Sequence, residues 1–120
     1  MKRSPLRRKT PMRRASLSKY RRRIRDLDFM KWVRRQPCAA REFDVACDGH
    51  VEADHAGRRG YGQKADDRTC IPLCAKHHEM RGSFHGAFKD WDQARMRAWL
   101  ERAVSDTQAA YAAWQASKEN

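Results

Sequence analysis

All four cysteines and four of the five histidines of this 120-residue chain lie between residues 38 and 78. Cys, His and Asp are the residue types that hold zinc or a catalytic divalent cation. A chain that must bring such side chains to one point has few ways to fold the segments between them. Two short apolar-alternating runs fill that interval. In Val51-Glu52-Ala53-Asp54-His55, Val51 and Ala53 alternate with Glu52 and Asp54, as a half-buried strand would. Thr69 to Leu73 reads as a second short strand, and Leu73 onward opens a helix. Between them Gly57 to Lys64 is a basic, glycine-rich loop. The order is therefore strand, loop, strand, helix.

Cys38, Cys47, Cys74 and His77 would make a closed Cys₃His site, the arrangement of a structural zinc. The Cys74-x-x-His77 half has standard ligand spacing at a helix start, whereas Cys38 and Cys47 bracket eight residues. Asp48-Gly49 after them suits a hairpin turn. Cys70, four residues before Cys74, competes for a ligand place; its position on the second strand suits a small buried residue instead. The rival reading is four buried thiols.

Charge divides the chain. Residues 1–35 carry fifteen Lys/Arg against two acids, and residues 36–120 carry twelve against thirteen, so the net +12 belongs to the N-terminal arm. Ser4-Pro5-Leu6-Arg7-Arg8-Lys9 is echoed by Thr10-Pro11-Met12-Arg13-Arg14-Ala15. Prolines, high charge and few apolar side chains predict a disordered arm over 1–17. Such a density of arginine fits a polyanion, nucleic acid first, with an organellar presequence or a solubilising tail as the competing readings. No apolar run reaches the ~20 residues that cross a bilayer, and no secretory h-region follows the basic start. Thiols in a reducing, cytoplasmic setting then read as ligands rather than bridges. The remaining 18–120 is one domain, and its body of about 85 residues is small enough to need a structural metal.

Helical pattern flanks the core. Tyr20, Ile24 and Leu27 have helical spacing from Ser18, Asp28 can cap a turn carrying Phe29, Trp32 and Val33, and Pro37 stops it. One helix or two fit equally. Asp92 is a good N-cap with Trp91 stapled on Met96, and Met96, Trp99, Leu100 and Val104 form a stripe. Tyr111 and Trp114 continue it after a break near Ser105-Asp106, and these aromatics read as core.

A second constellation comprises Asp54, His55, His78 and His85. Phosphodiester hydrolysis needs a base to activate water and oxygen or nitrogen ligands for a cation. Asp54 and His55, adjacent on a strand, point to opposite faces unless a bulge near Gly57 intervenes. His78 and His85 would share a helix face if Gly82 and Ser83 did not break the helix.

Ala53-Asp54-His55, the loop to Lys64, Ala65-Asp66-Asp67 and Ile71-Pro72-Leu73-Cys74-Ala75-Lys76-His77-His78 resemble the HNH (His-Me finger, ββα-metal) endonucleases of small phage and prophage type. The lead-in Phe29 to Cys38 and the Pro-x-Arg-Arg arm are similar too, so the resemblance covers residues 29 to about 90. It implies His55 as general base and Asp54 and His78 as ligands of a catalytic Mg²⁺, Mn²⁺ or Zn²⁺. It also implies structural Zn²⁺ on Cys38/Cys47 and Cys74/His77. Two positions depart from the family pattern. No Asn stands near Thr69, where Asp67 is the nearest stand-in, and Gly82 occupies a frequent His position; His85 or Asp67 would join Asp54 and His78 as ligands of the catalytic cation.

The expectation is an α+β chain: a zinc-stabilised ββα-metal finger over about 38–88, flanking helices, and a helical region over 89–118. Its expected function is hydrolysis of DNA phosphodiester bonds in phage or prophage recombination or DNA processing. It would act in the cytoplasm of a bacterial host or phage-infected cell, with a recombination or replication protein as a further partner. Arg7, Arg8, Arg13 and Arg14 of the arm, and Arg58, Arg59 and Lys64 of the loop, would grip backbone phosphates. The alternative is a non-catalytic zinc module that binds nucleic acid. Zinc-dependent deamination fits poorly, because His-x-Glu followed by Pro-Cys-x-x-Cys is absent.

Overall fold

The computed structural model describes residues 24–57 and 66–119. Its elements run α1 (Leu27–Val33), β1 (Val51–His55), a 3₁₀ turn (Asp67–Thr69), β2 (Cys70–Cys74), α2 (Ala75–Ser83), a second 3₁₀ turn (Gly86–Phe88) and α3 (Gln93–Lys118). This is a small α+β fold. β1 and β2 pair antiparallel, with Val51 opposite Cys74, Asp54 opposite Ile71 and His55 opposite Cys70. The register has no bulge, so Asp54 and His55 take opposite faces of the ribbon.

Every residue of β2 is buried, which explains a strand that is apolar throughout rather than alternating. Pro72 fits there because its carbonyl accepts from Ala39 N (2.7 Å) and the ring need not donate. Two apolar clusters cover the ribbon. One joins Ile71, Leu73, Met80, Phe88, Met96 and Leu100; the other joins Phe29, Trp32, Val33 and Cys70, with Tyr111 against it. Cys70 is thus a buried strand residue, as its position suggested. The 26-residue α3 spans both clusters. Tyr111 packs edge-on against Phe29 at 4.8 Å, and Trp91 and Trp99 pack around Phe88.

Several local expectations need correction. The cap of α1 is Asp26, whose carboxylate accepts from Phe29 N, and Asp28 lies inside the first turn. Ile24 and Leu27 are exposed, because residues 24–26 leave the helix to bond with Asp66 and Asp67. Asp48-Gly49 makes no hairpin. Gly49 (φ +85) turns the chain onto the start of α2, where a Cβ would meet Ala75 Cβ at 2.8 Å and where Lys76 N donates to Asp48 O. Finally, α2 begins at Ala75 and runs through Gly82 and Ser83 to stop at Phe84, while α3 passes Ser105 and Asp106 unbroken. Asp92 does cap α3, accepting from Arg95 N at 2.8 Å.

Candidate metal centre and candidate active site

The end of β2 and the first turn of α2 bring Cys74 and His77 together. Cys74 caps α2, its sulfur accepting from His77 N, and His77 turns its Nδ1 back toward that sulfur. The loop before β1 adds Cys38 and Cys47. His77 Nδ1 then stands 3.1 Å from Cys74 Sγ, 3.6 Å from Cys38 Sγ and 3.7 Å from Cys47 Sγ. The four ligand atoms lie within 4.8 Å of one another, so the group could hold a metal ion. Among the described residues it is the one such group. Cys38, Cys74 and His77 are buried and Cys47 is exposed. His77 Nε2 is buried with no hydrogen-bond partner among the described residues, as suits a ring anchored through Nδ1.

The thiols differ in basicity. Burial opposes ionisation of Cys74, but hydrogen bonds from the backbone of His77 and Asp48 outweigh it and bring the thiol down to about 6. Cys47 is pushed up to about 12 by desolvation, then by hydrogen bonding and charge from Cys38 and Cys74. Thiolates crowded together without a cation resist further ionisation.

The other candidate residues divide between the two faces of β1. On the α2 face, Asp54 is 3% exposed and takes a bidentate pair from Arg81, Nε to Oδ2 and Nη2 to Oδ1. His78 Nε2 is 3.5 Å from Asp54 Oδ1, and His78 Nδ1 is 2.7 Å from Glu52 Oε1. On the opposite face, His55 Nε2 is 2.9 Å from Asp67 Oδ1. Asp67 is 1% exposed, and its other oxygen accepts from Asp26 N at 2.7 Å. With Asp67 as a carboxylate, which only accepts, His55 Nε2–H is the donor of this contact and Nδ1 faces away from it.

Asp54 and His78 therefore come together as expected, with His55 next in the chain. Asp67 turns to His55 rather than to Asp54. His85 lies beyond the left-handed Phe84 cap, exposed and bonded to Ser83 Oγ. Arg7, Arg8, Arg13, Arg14, Arg58, Arg59 and Lys64 fall outside the described residues. Sequence reasoning missed Glu52 and Arg81. The signal was available: Glu52 is two residues before Asp54 on one strand face, and Arg81 is three after His78 on one helix face.

With this geometry in place, comparison with known proteins is informative. A family model described as "protein of unknown function (DUF968)" matches residues 9–103, which contain both constellations. The chain belongs to the DUF968 family. Another similar protein is the uncharacterized protein YdfU of Escherichia coli (strain K12), 39% identical over 74 residues, which are 62% of this chain and 20% of YdfU. The chain thus spans about a fifth of the length of that relative. No solved structure matches. DUF968 membership carries no activity with it, so function must be argued from the residues.

Proposed function

We infer that this DUF968 chain is a metal-dependent endonuclease of the ββα-metal type, hydrolysing DNA phosphodiester bonds with His55 as general base. One observation carries the reading. A histidine fixed by a buried carboxylate sits next in sequence to an Asp–His pair 3.5 Å apart, on two strands followed by a helix. That separation is close to the ~3.4 Å ligand edge expected around a cation with bonds of about 2.0–2.1 Å. Glu52 supports the same assignment. Its contact with His78 Nδ1 turns Nε2 toward Asp54, the carboxylate–histidine arrangement that orients metal ligands.

His55 Nδ1 takes the proton of the attacking water, and Asp67 fixes the ring. Asp54 and His78 would hold a divalent cation, which supplies charge for the oxygen that leaves phosphorus. Arg81 neutralises Asp54 and places a guanidinium where a phosphate oxygen can reach it. The basic arm, and Arg58, Arg59 and Lys64, add affinity through phosphates. His85 is exposed on Ser83, so it is left out of this scheme.

The Cys₃His group reads as structural zinc. A tetrahedral site with Zn–S of about 2.3 Å and Zn–N of about 2.0 Å has sulfur–nitrogen edges of roughly 3.6 Å. The three distances to His77 Nδ1 span 3.1–3.7 Å. A zinc ion there would tie the loop before β1 to the start of α2.

A non-catalytic zinc module that binds nucleic acid is the second reading, favoured by the complete pairing of Asp54 with Arg81. Nicking of supercoiled plasmid with Mg²⁺ or Mn²⁺ decides between them. The nuclease reading expects metal-dependent nicking by wild type and its loss in His55→Ala. Equal nicking by both proteins, or none by wild type, favours the binding module.

A further inference from the structure

A cleft of about 660 Å³ opens beside His55, between the ends of β1 and α2 and the first half of α3. His55, Arg81 and Phe84 line one side. The buried Met96 and Leu100, with the exposed Arg97 and Glu101, line the other. The candidate base is therefore on the wall of a partly apolar slot rather than on a flat surface.

Phe84 is the unusual member of that wall. It caps α2 at φ 51 and ψ 51, and is the one non-glycine residue with positive φ among the described residues. Where a helix ends in this left-handed conformation the residue is usually glycine, because a Cβ is strained there. Phe84 is also 36% exposed and belongs to neither apolar cluster. Its ring is thus partly covered but keeps a solvent-facing part on the cleft wall. Backbone strain of this kind concentrates where a ligand is handled. Arg97 likewise forms no ion pair with any described residue.

An aromatic face, an apolar floor and an uncommitted guanidinium are what a nucleotide presents itself to: base on ring, phosphate on arginine. A duplex keeps its bases stacked inside, so a ring on a cleft wall reaches only a base that has left the stack. We propose that this cleft binds an unpaired nucleotide of the substrate strand, next to the phosphate served by His55. Its base stacks on Phe84 above Met96 and Leu100, and an adjacent phosphate pairs with Arg97. The inference rests on the nuclease reading and narrows its substrate to DNA with single-stranded character at the cut.

The test is binding without cleavage. Full-length protein is titrated, with no added divalent cation, against a single-stranded oligonucleotide carrying 2-aminopurine and against the same sequence as a duplex. Phe84→Gly removes the ring and suits the left-handed backbone, so its fold is kept and is checked by its melting temperature. It is expected to weaken single-strand binding about tenfold and change duplex binding by less than about twofold, with Phe84→Trp restoring wild-type affinity. Arg97→Gln is expected to weaken the single strand as well. Unchanged single-strand affinity in Phe84→Gly, or equal weakening on both substrates, overturns the proposal. Because nothing is cut in this assay, ring-dependent single-strand binding by a chain that cuts neither plasmid nor the single-stranded oligonucleotide with Mg²⁺ or Mn²⁺ defeats the nuclease reading alone. Nicking without that preference defeats the cleft alone.

Discussion

Asp67 holds His55 by a 2.9 Å contact made from a position that is 1% exposed, and its second oxygen is fixed by the Asp26 amide. A carboxylate so placed fixes the orientation of the ring. Asp67→Asn keeps the shape and removes the charge. It is expected to lower the plasmid-nicking rate about 10²-fold with little change in KM, while His55→Ala loses at least as much. A change confined to KM would assign Asp67 to DNA binding instead.

Stability should depend on the Cys₃His group. The free energy of zinc binding adds to the stability of a small domain. Purified chain is expected to carry one zinc per molecule, and Cys74→Ser to carry less and to melt at a lower temperature. Full zinc content in Cys74→Ser would remove that residue from the ligand set.

The two shifted thiols give the metal-free chain an opposed pH dependence. Cys74, lowered from the usual 9 to about 6, contributes stability that is present above about 9 and lost as pH falls toward 6. Cys47, raised to about 12, contributes stability that is present below about 9 and lost as pH rises toward 12. Urea midpoints of reduced, chelator-treated protein should therefore rise from pH 6 to 9 and fall beyond it. Cys47→Ser should blunt only the alkaline fall. A flat profile from pH 6 to 9 in wild type would contradict the Cys74 assignment.

Arg81 is the partner of a nearly buried Asp54. Truncating one member of such a pair leaves the other charge stranded, at a cost of about 3–5 kcal/mol. Arg81→Ala is expected to lose roughly that much stability without added metal. Mn²⁺ should restore part of it by binding Asp54 and His78. Denaturation with and without Mn²⁺ reads both effects, and no recovery would argue against a cation at that pair.

Removing residues 1–17 should weaken DNA binding and flatten its salt dependence, since each lost phosphate contact lowers the log–log slope by about 0.9. An unchanged slope would show that the arm does not contact the backbone.

The sequence carried the ribbon and the sulfur cluster well, for physical reasons. Ligand spacing at Cys74-x-x-His77 implies a helix start, and strict alternation from Val51 to Asp54 implies opposed faces. Partnership was harder to read. Periodicity says that Glu52 shares a face with Asp54, but not that His78 from α2 lies against it. The pattern points to Asp28 as the cap, but the bonds that residues 24–26 make with Asp66 and Asp67 put Asp26 in that place instead. Ser105 and Asp106 are weak helix formers, yet α3 continues because Thr107 and Tyr111 beyond them are tied in. Thr107 is buried with its hydroxyl on Ala103 O, and Tyr111 packs on Phe29.

The bonds that clip residues 24–26 to Asp66 and Asp67 also act as a ruler. An extended chain spans at most about 3.5 Å per residue, so Arg14 can never lie more than ~35 Å from Ile24, nor Arg7 more than ~60 Å. Measured along a duplex, those tether lengths are roughly one helical turn and somewhat under two. If the arm follows the backbone away from the cut, the Arg13-Arg14 pair can contact phosphates only within about one turn of that clip, and the Arg7-Arg8 pair only within about two.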